Sequence, residues 1–337
     1  AWGYNGYGQI GDNSTILYYK YPVRVKGENG VGFLTGVKAI AGGEDHTIAL
    51  KENGDVWAWG SNTYGQIGDN STMNRLYPVR VKGENGAGFL TGIKAIAGGD
   101  YHTIALKENG DVWAWGHNYY GQIGDNSTMN RLYPVRVTGE NGVGFLTGVK
   151  AIEGGWYHTI ALKENGDMWA WGYNYYGQIG DNSTTHCKYP VRVTGENGAG
   201  FLTGVKAIAG GDYHTIALKE NGDVWAWGRN SEGQIGDNSI MNRWYPVRVK
   251  GENGVGFLTG VKAIAGGWGH TIALKENGDV WAWGYNDYGQ IGDNSTTDRL
   301  YPVRVTGENG VGFLTGVKAI ADGDYHTIAL KENGDVW

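Results

Sequence analysis

The chain has 337 residues, among them 61 glycines and 15 tryptophans, and a formal net charge of −6. An apolar content of 40% excludes a disordered chain, and glycine without a Gly-X-Y period excludes collagen. The acidic balance argues against a nucleic-acid partner, because phosphate binding requires a basic surface, and no apolar run is long enough for membrane insertion.

One sequence unit recurs along the whole chain. The tripeptide Ala-Trp-Gly begins at positions 1, 58, 114, 170, 226 and 282, so a repeat is 57 residues long in the first copy and 56 afterwards. Because close copies fold as one kind of unit, we predict a single domain over 1–337, although the length alone suggests two or more domains.

Each repeat is predicted to contain four short strands, which we number in chain order within the repeat. In the copy nearest the N-terminus they are VKAIAGG (37–43), HTIAL (46–50), DVWAWG (55–60) and YPVRV (77–81). The connection KENG between the second and third strands is an Asn-Gly hairpin signal. The proline near the start of the fourth strand indicates an edge strand.

Alternation along the third strand predicts two different faces. Trp57 and Trp59 lie on one face, and Val56 and Ala58 lie on the other. No segment has helical periodicity.

Four strands per repeat and six repeats predict an all-β fold, a six-bladed β-propeller of four-stranded antiparallel blades. An open β-solenoid is the alternative, but it usually has shorter repeats and capping ends. The continuous blades would lie at about 37–82, 93–138, 149–194, 205–250 and 261–306. The sixth would combine 317–337 with 1–25, so that the N- and C-terminal segments share the last blade and close the ring.

The segment GGDYHTIALKENGDVWAWGHNYYGQIGD at 98–125 combines Gly-Gly, His-Thr, an alternating strand, an Asn-Gly-Asp turn, Trp-Gly, Asn and Gly-Gln-Ile-Gly. This pattern resembles the repeat of the regulator of chromosome condensation family, and it recurs six times. The resemblance implies a β-propeller of four-stranded blades closed by its terminal strands. It also implies GTPase regulation as one activity, although no copy carries the unique insertion that the founding exchange factor uses.

Two repeated polar motifs have structural explanations. The six repeated histidines are conceivable metal ligands or bases, but a hydrogen bond within each blade explains them better. The repeated GDNST segment suggests calcium, yet it lacks the carboxylate spacing of a calcium loop, and Asx-turn capping explains it better. We expect no metal ion and no cofactor.

The differences between copies concentrate between the first and second strands and after the third strand. These connections leave an antiparallel blade at the same end, so the variable residues should share one face. Trp156, Trp244 and Trp268 are the three tryptophans outside the repeated third-strand pattern, and all three occupy variable positions. Aromatic and short polar residues on a rigid frame are typical of a binding surface. Drift on an exposed rim is the alternative, but the turns GENG and KENG should also be exposed and have not drifted.

We therefore expect a non-enzymatic, monomeric binding module that recognises a protein, peptide or glycan through this face. The candidate binding residues are Tyr101, His117, Trp156, Tyr157, Tyr173, Tyr213, Arg229, Trp244, Trp268 and Tyr285. The alternatives are a structural or self-assembling repeat propeller without a specific ligand and, by family analogy alone, a GTPase regulator.

Overall fold

The computed structural model describes residues 1–337, and its regular elements are β-strands and single 3-10 turns. The strands are β1 (Gly3–Tyr4), β2 (Tyr18–Tyr19), β3 (Val37–Gly42), β4 (His46–Lys51), β5 (Val56–Gly60), β6 (Arg75–Arg80), β7 (Ile93–Gly98), β8 (His102–Lys107), β9 (Val112–Gly116), β10 (Arg131–Arg136), β11 (Val149–Gly154), β12 (His158–Lys163), β13 (Met168–Gly172), β14 (Cys187–Arg192), β15 (Val205–Gly210), β16 (His214–Lys219), β17 (Val224–Gly228), β18 (Arg243–Arg248), β19 (Val261–Gly266), β20 (His270–Lys275), β21 (Val280–Gly284), β22 (Arg299–Arg304), β23 (Val317–Asp322) and β24 (Thr327–Lys331).

The 3-10 turns all have the sequence Glu-Asn-Gly, and they lie at Glu28–Gly30, Glu84–Gly86, Glu140–Gly142, Glu196–Gly198, Glu252–Gly254 and Glu308–Gly310. None of these turns is long enough to cross a membrane. The predicted absence of long helical segments follows from the period-2 pattern of the repeat.

Five sheets have four strands each, with the strands side by side in chain order: β3–β6, β7–β10, β11–β14, β15–β18 and β19–β22. Two further sheets, β1–β2 and β23–β24, have two strands each. The predicted all-β fold of four-stranded blades is confirmed, and the sheets fit six blades, the sixth divided between the two ends of the sequence. The pairing of 1–25 with 317–337 stays a prediction.

The chain forms two compact units, which we describe separately. Unit 1 comprises 1–163, 171–173 and 186–191, and unit 2 comprises 164–170, 174–185 and 192–337. The organisation of 1–337 as a single domain stays a prediction.

The hairpin between the second and third strands forms as predicted. Between β4 and β5, the Lys51 N–H donates to the Asp55 carbonyl oxygen at 2.9 Å. Gly54 takes the left-handed conformation with φ 80°, and the Asn53 side chain accepts the Asp55 N–H at 3.1 Å. Asn53 therefore closes an Asx turn, and glycine supplies the positive φ that the turn requires.

The core lies between successive sheets, because both faces of the third strand are buried. In β5, Val56 and Ala58 belong to a hydrophobic cluster that includes Trp115 of the next repeat. Trp57 and Trp59 belong to a second cluster, which includes Val25 and Leu34 from the chain before this sheet. The predicted assignment of faces is confirmed, and each repeat needs its neighbours to bury its apolar side chains.

The fourth strand is longer than predicted. In β6 it begins at Arg75, and Pro78 is the fourth of its six residues. Arg75 pairs with Gly60 and Val79 pairs with Ala58, so the register shifts between these pairs. Pro78 lies in this irregular stretch, where the lack of an N–H costs no regular ladder bond.

One backbone carbonyl joins neighbouring repeats. The carbonyl oxygen of Gln66 accepts the Thr103 hydroxyl at 2.8 Å and the Trp115 indole N–H at 3.0 Å. The Thr103 hydroxyl oxygen in turn lies 3.0 Å from Nε2 of His46. Because the hydroxyl proton goes to Gln66, His46 donates this bond through Nε2–H. The prediction that the repeated histidines form hydrogen bonds within one blade is therefore wrong, since the bond from His46 to Thr103 connects two repeats.

The same two-donor carbonyl recurs within both units. In unit 1 it is found at Gln9 and Gln122, and in unit 2 at Gln178 and Gln234. The repeat contains a glycine that lets the indole approach: a Cβ on Gly68, whose φ is 76°, would lie 2.5 Å from the Trp115 indole nitrogen.

We predict that Thr103→Val lowers the free energy of unfolding by about 1–3 kcal/mol, because it leaves the buried Nε2–H of His46 without an acceptor. Urea denaturation measures this change. Thr63→Val, at an exposed position, is the control and should change the free energy by less than about 0.5 kcal/mol. Equal effects of the two substitutions would contradict the shared-carbonyl interpretation.

Stability should also fall in mild acid. Burial lowers the pKa of His46 and His270 to about 4 and that of His102 to about 3. These pKa values lie below 6.5, the value in the unfolded chain. At a pH between the folded and the unfolded pKa of a histidine, the unfolded chain therefore binds more protons than the folded chain. The free energy of unfolding should therefore decrease as pH falls through this window, by about 1.4 kcal/mol per pH unit for each histidine.

Urea denaturation over this pH range measures the slope. His102→Gln keeps a side-chain N–H donor and should reduce the slope by about one proton. His326→Gln, at an exposed position, is the matched control. A slope unchanged by His102→Gln would show that His102 is not protonated on unfolding.

Candidate binding site

A buried asparagine fixes the loop that follows the third strand. After β9, the Asn118 side-chain oxygen accepts the Ile123 N–H at 2.9 Å, and its amide donates to Asp125 at 3.1 Å and to the Met129 carbonyl oxygen at 3.0 Å. Asp125 accepts the N–H of Ser127 at 3.1 Å, which confirms the predicted Asx turn of GDNST. The loop therefore has a defined conformation and can hold its outward side chains in fixed positions.

Unit 1 gathers aromatic side chains from two kinds of connection. We call this group the unit-1 aromatic cluster; it consists of Tyr64, Tyr101, His117, Tyr119, Tyr120, Trp156, Tyr157, Tyr173 and His186. Its members come from the connection between the first and second strands and from the loop after the third strand. The prediction that these connections meet at one end of the blades is confirmed within unit 1.

Tyr157 lies at the centre of the unit-1 aromatic cluster. Its ring stacks on Trp156, with centroids 5.1 Å apart, and on Tyr101, with centroids 5.7 Å apart. It also contacts His117 at 5.3 Å and Tyr120 at 5.1 Å. Four of its neighbours thus fix this half-buried ring, which favours a preformed surface.

His117 is neutral at neutral pH. The side-chain oxygen of Gln122 accepts the Tyr120 N–H at 3.1 Å, so its amide nitrogen points to Nδ1 of His117 at 2.7 Å. Because an amide nitrogen only donates, Nδ1 is an acceptor and the ring carries its proton on Nε2. Burial lowers the pKa of His117 to about 4.

Carboxylates lie beside the same rings. Burial raises the pKa of Tyr101 far above its usual range, and a hydrogen bond to Glu44 and the charge of Asp100 raise it further. Burial also raises the pKa of Tyr157 to about 12, with a smaller contribution from the charges of Asp100 and Glu44. The carboxylates of Glu44 and Asp100 therefore lie close to the rings of Tyr101 and Tyr157.

Unit 2 contains a second group, the unit-2 aromatic cluster, which consists of Tyr176, Tyr213, Arg229, Trp268, Tyr285, Tyr288 and Tyr325. Trp268 contacts Tyr285 at 5.2 Å and Tyr325 at 5.7 Å between ring centroids. The predicted residues of unit 2, apart from one tryptophan, thus come together in one group.

Arg229 is the cation of the unit-2 aromatic cluster. Its guanidinium carbon lies 4.9 Å from the ring centroid of Trp268 and 5.7 Å from that of Tyr213. The guanidinium also pairs with Glu232 at 2.7 Å and donates to the Ser231 hydroxyl at 2.8 Å. Rings and a carboxylate together satisfy this charge.

Trp244 lies elsewhere. It belongs to β18, and its ring packs on Gly177, where a Cβ would lie 2.7 Å from Cδ1 of Trp244. Its side chain is 49% exposed. Packing against Gly177 fixes Trp244 at the start of the fourth strand. Trp244 therefore does not join the ring contacts of the other predicted residues.

The sequence comparison between copies missed several ring positions. Tyr64, Tyr120, Tyr176 and Tyr288 all precede Gly-Gln and differ little between repeats. A search restricted to variable positions passes over them. The available signal was an aromatic residue at a nearly constant position close to variable ones.

Four-stranded sheets that repeat along the chain and are joined by buried hydrogen bonds define a β-propeller repeat protein. The sequence profile of the RCC1-like domain matches residues 1–250, and profiles of the regulator of chromosome condensation (RCC1) repeat match 277–330 and 261–290. The chain belongs to the RCC1-like domain family.

Two similar proteins illustrate the range of the family. The ultraviolet-B receptor UVR8 of Arabidopsis thaliana is 32% identical over 303 residues, which cover 90% of this chain and 64% of the receptor. The secretion-regulating guanine nucleotide exchange factor of Mus musculus is 30% identical over 305 residues, which cover 87% of this chain and 60% of that protein. The chain thus spans less than two thirds of the length of these relatives.

Solved structures share the fold. Human WBSCR16 has a TM-score of 0.77 at 22% identity, with 98% of this chain and 81% of that chain covered. Yeast RCC1 (Prp20), crystallised with Kap60, has a TM-score of 0.76 at 24% identity, with 99% and 76% covered. At this level of identity, the similarity establishes the propeller fold.

We predict that Asn118→Ala destabilises the protein by about 3 kcal/mol, because several groups of the loop lose their buried partner together. The loss of near-ultraviolet circular dichroism should accompany a lower unfolding midpoint, since the rings after β9 lose their fixed positions. Asn130→Ala is the control: this exposed residue accepts one hydrogen bond, from the Asn118 N–H, and its loss should cost about 1 kcal/mol. A larger effect at Asn130 would contradict the assignment of Asn118 as the centre of the loop.

Proposed function

We propose that this chain is a non-enzymatic binding module that recognises a protein or peptide through its aromatic clusters. The observation that supports this most directly is the contact between variable rings in the unit-1 aromatic cluster. Tyrosine and tryptophan bury large areas at low entropy cost, and they are the residues that most often dominate binding energy. The unit-2 aromatic cluster offers a second surface of the same kind.

The variable rings are not needed for the hydrogen bonds that join the repeats. Those hydrogen bonds use repeated residues, such as Gln66, Thr103 and Trp115. A purely structural propeller could therefore keep any small polar residue at the variable positions. The presence of stacked rings there favours recognition over simple assembly.

The comparisons support a protein as the partner. One similar protein is named as a receptor and another as an exchange factor, and yeast RCC1 was crystallised with Kap60. These names belong to proteins of which this chain spans only a part, or to structures that share its fold at low identity. They therefore favour the general class of protein binding without identifying a partner.

We expect the double substitution Trp156→Ala and Tyr157→Ala to remove the partners of unit 1, with a loss of about 2 kcal/mol or more in binding free energy. Quantitative proteomics of the captured proteins, compared with the unchanged chain, measures this loss. Val143→Ala, at a side chain that is 76% exposed and directly follows a Glu-Asn-Gly turn, is the control and should retain every partner. An identical partner set for the folded double variant and the control would refute the proposed function of this cluster.

A further inference from the structure

The unit-2 aromatic cluster shows which charge this framework can hold. Arg229 lies beside three rings: Tyr176 at 5.9 Å, Tyr213 at 5.7 Å and Trp268 at 4.9 Å, measured from the guanidinium carbon to the ring centroids. Guanidinium groups favour aromatic faces because the faces carry negative charge density. The framework thus forms a guanidinium seat from residues of neighbouring repeats.

The same ring positions recur in unit 1, two repeats earlier. In place of the three rings around Arg229 stand Tyr64, Tyr101 and Trp156. The position of Arg229 itself is occupied by His117, whose ring lies 4.6 Å from that of Tyr64 and 6.3 Å from that of Tyr101. Unit 1 therefore keeps the rings of the seat and replaces its cation with a neutral imidazole.

The charge around the unit-1 aromatic cluster also differs. In unit 2, Glu232 neutralises Arg229 within the seat, and in unit 1 its position is taken by Tyr120. The carboxylate of Glu44 has no counterpart two repeats later, where Trp156 takes its position, whereas Asp100 is retained there as Asp212. The Glu44 N–H donates to the Asp100 carbonyl oxygen at 3.2 Å. The Glu44 carboxylate accepts a hydrogen bond from the Tyr101 hydroxyl, and the neutral His117 beside Tyr101 brings no positive charge.

From this geometry we infer that the unit-1 aromatic cluster binds the guanidinium group of an arginine in a partner peptide. The arginine stacks at the edge of the Tyr101, Tyr157 and Trp156 group and pairs with the carboxylate of Glu44. The inference rests on the proposed function and specifies its ligand. A bidentate pair with a carboxylate and a stacked ring together distinguish arginine from lysine.

The test uses a fluorescently labelled peptide, Gly-Ser-Arg-Gly-Ser-Arg-Gly, and the same peptide with citrulline or lysine in place of arginine. Fluorescence anisotropy with the full chain at physiological salt should show binding of the arginine peptide that is about tenfold tighter than that of the citrulline peptide, with lysine between them. Citrulline keeps the shape but lacks the charge. Equal binding of the arginine and citrulline peptides would overturn the inference.

Two substitutions locate the site. His117→Arg supplies the guanidinium from within, as Arg229 does in unit 2, and should weaken binding of the arginine peptide about tenfold; His326→Arg adds the same charge at an exposed position and is the control. Glu44→Gln should weaken binding severalfold, whereas Glu84→Gln, which makes the same change on an exposed turn, should not. Circular dichroism verifies folding, and equal affinities for the folded His117→Arg and His326→Arg variants would contradict this location.

The peptide-binding test and the capture of partners distinguish a failure of the arginine inference from a failure of the proposed function. If captured partners depend on Trp156 and Tyr157 but the peptide does not bind, the arginine inference is wrong and the binding function stands. If the captured partners are also insensitive to these rings, both fail.

Discussion

A backbone carbonyl that accepts two side-chain donors from the next repeat is the interaction on which the structure depends. At Gln66, a threonine hydroxyl and an indole N–H of the next sheet converge on one oxygen, and a histidine from the sheet of Gln66 itself completes the chain of bonds. All these groups are buried, so the loss of one partner leaves the others unsatisfied at a cost of about 1–3 kcal/mol. This mutual dependence explains why Thr, Trp and His recur at fixed spacing within each repeat.

The shared carbonyl also explains which positions of the repeat are constant and which can vary. Bonds between repeats use residues inside the sheets and the backbone of the Gly-Gln segment, so they place no demand on the side chains that follow the third strand. Asn118 then fixes the path of that loop from within through buried hydrogen bonds. A loop whose backbone is already ordered presents rings at a smaller entropy cost on binding, which is the usual advantage of a preorganised site.

Within this common framework, one position changes the charge of a whole aromatic group. Arg229 in unit 2 is paired with Glu232 and surrounded by rings, so its charge is satisfied internally. His117 in unit 1 is held neutral by Gln122 and by burial, and the nearby carboxylates are set beside tyrosines. Two groups built from equivalent positions therefore differ in electrostatic character although their backbones repeat.

The sequence by itself determined the repeat length, the four strands per repeat, the faces of the third strand and the Asx turns, because these follow from local periodicity and turn chemistry. It also indicated which loops would meet, since strand order fixes the end of the blade from which each connection leaves. Only the tertiary structure showed that the histidine bonds to the next repeat, that Trp244 packs on Gly177 and that Tyr120, at a nearly constant position, contacts the variable Tyr157. Each of these contacts joins residues distant in sequence, and its geometry depends on how neighbouring sheets and loops pack, which no local pattern of residues specifies.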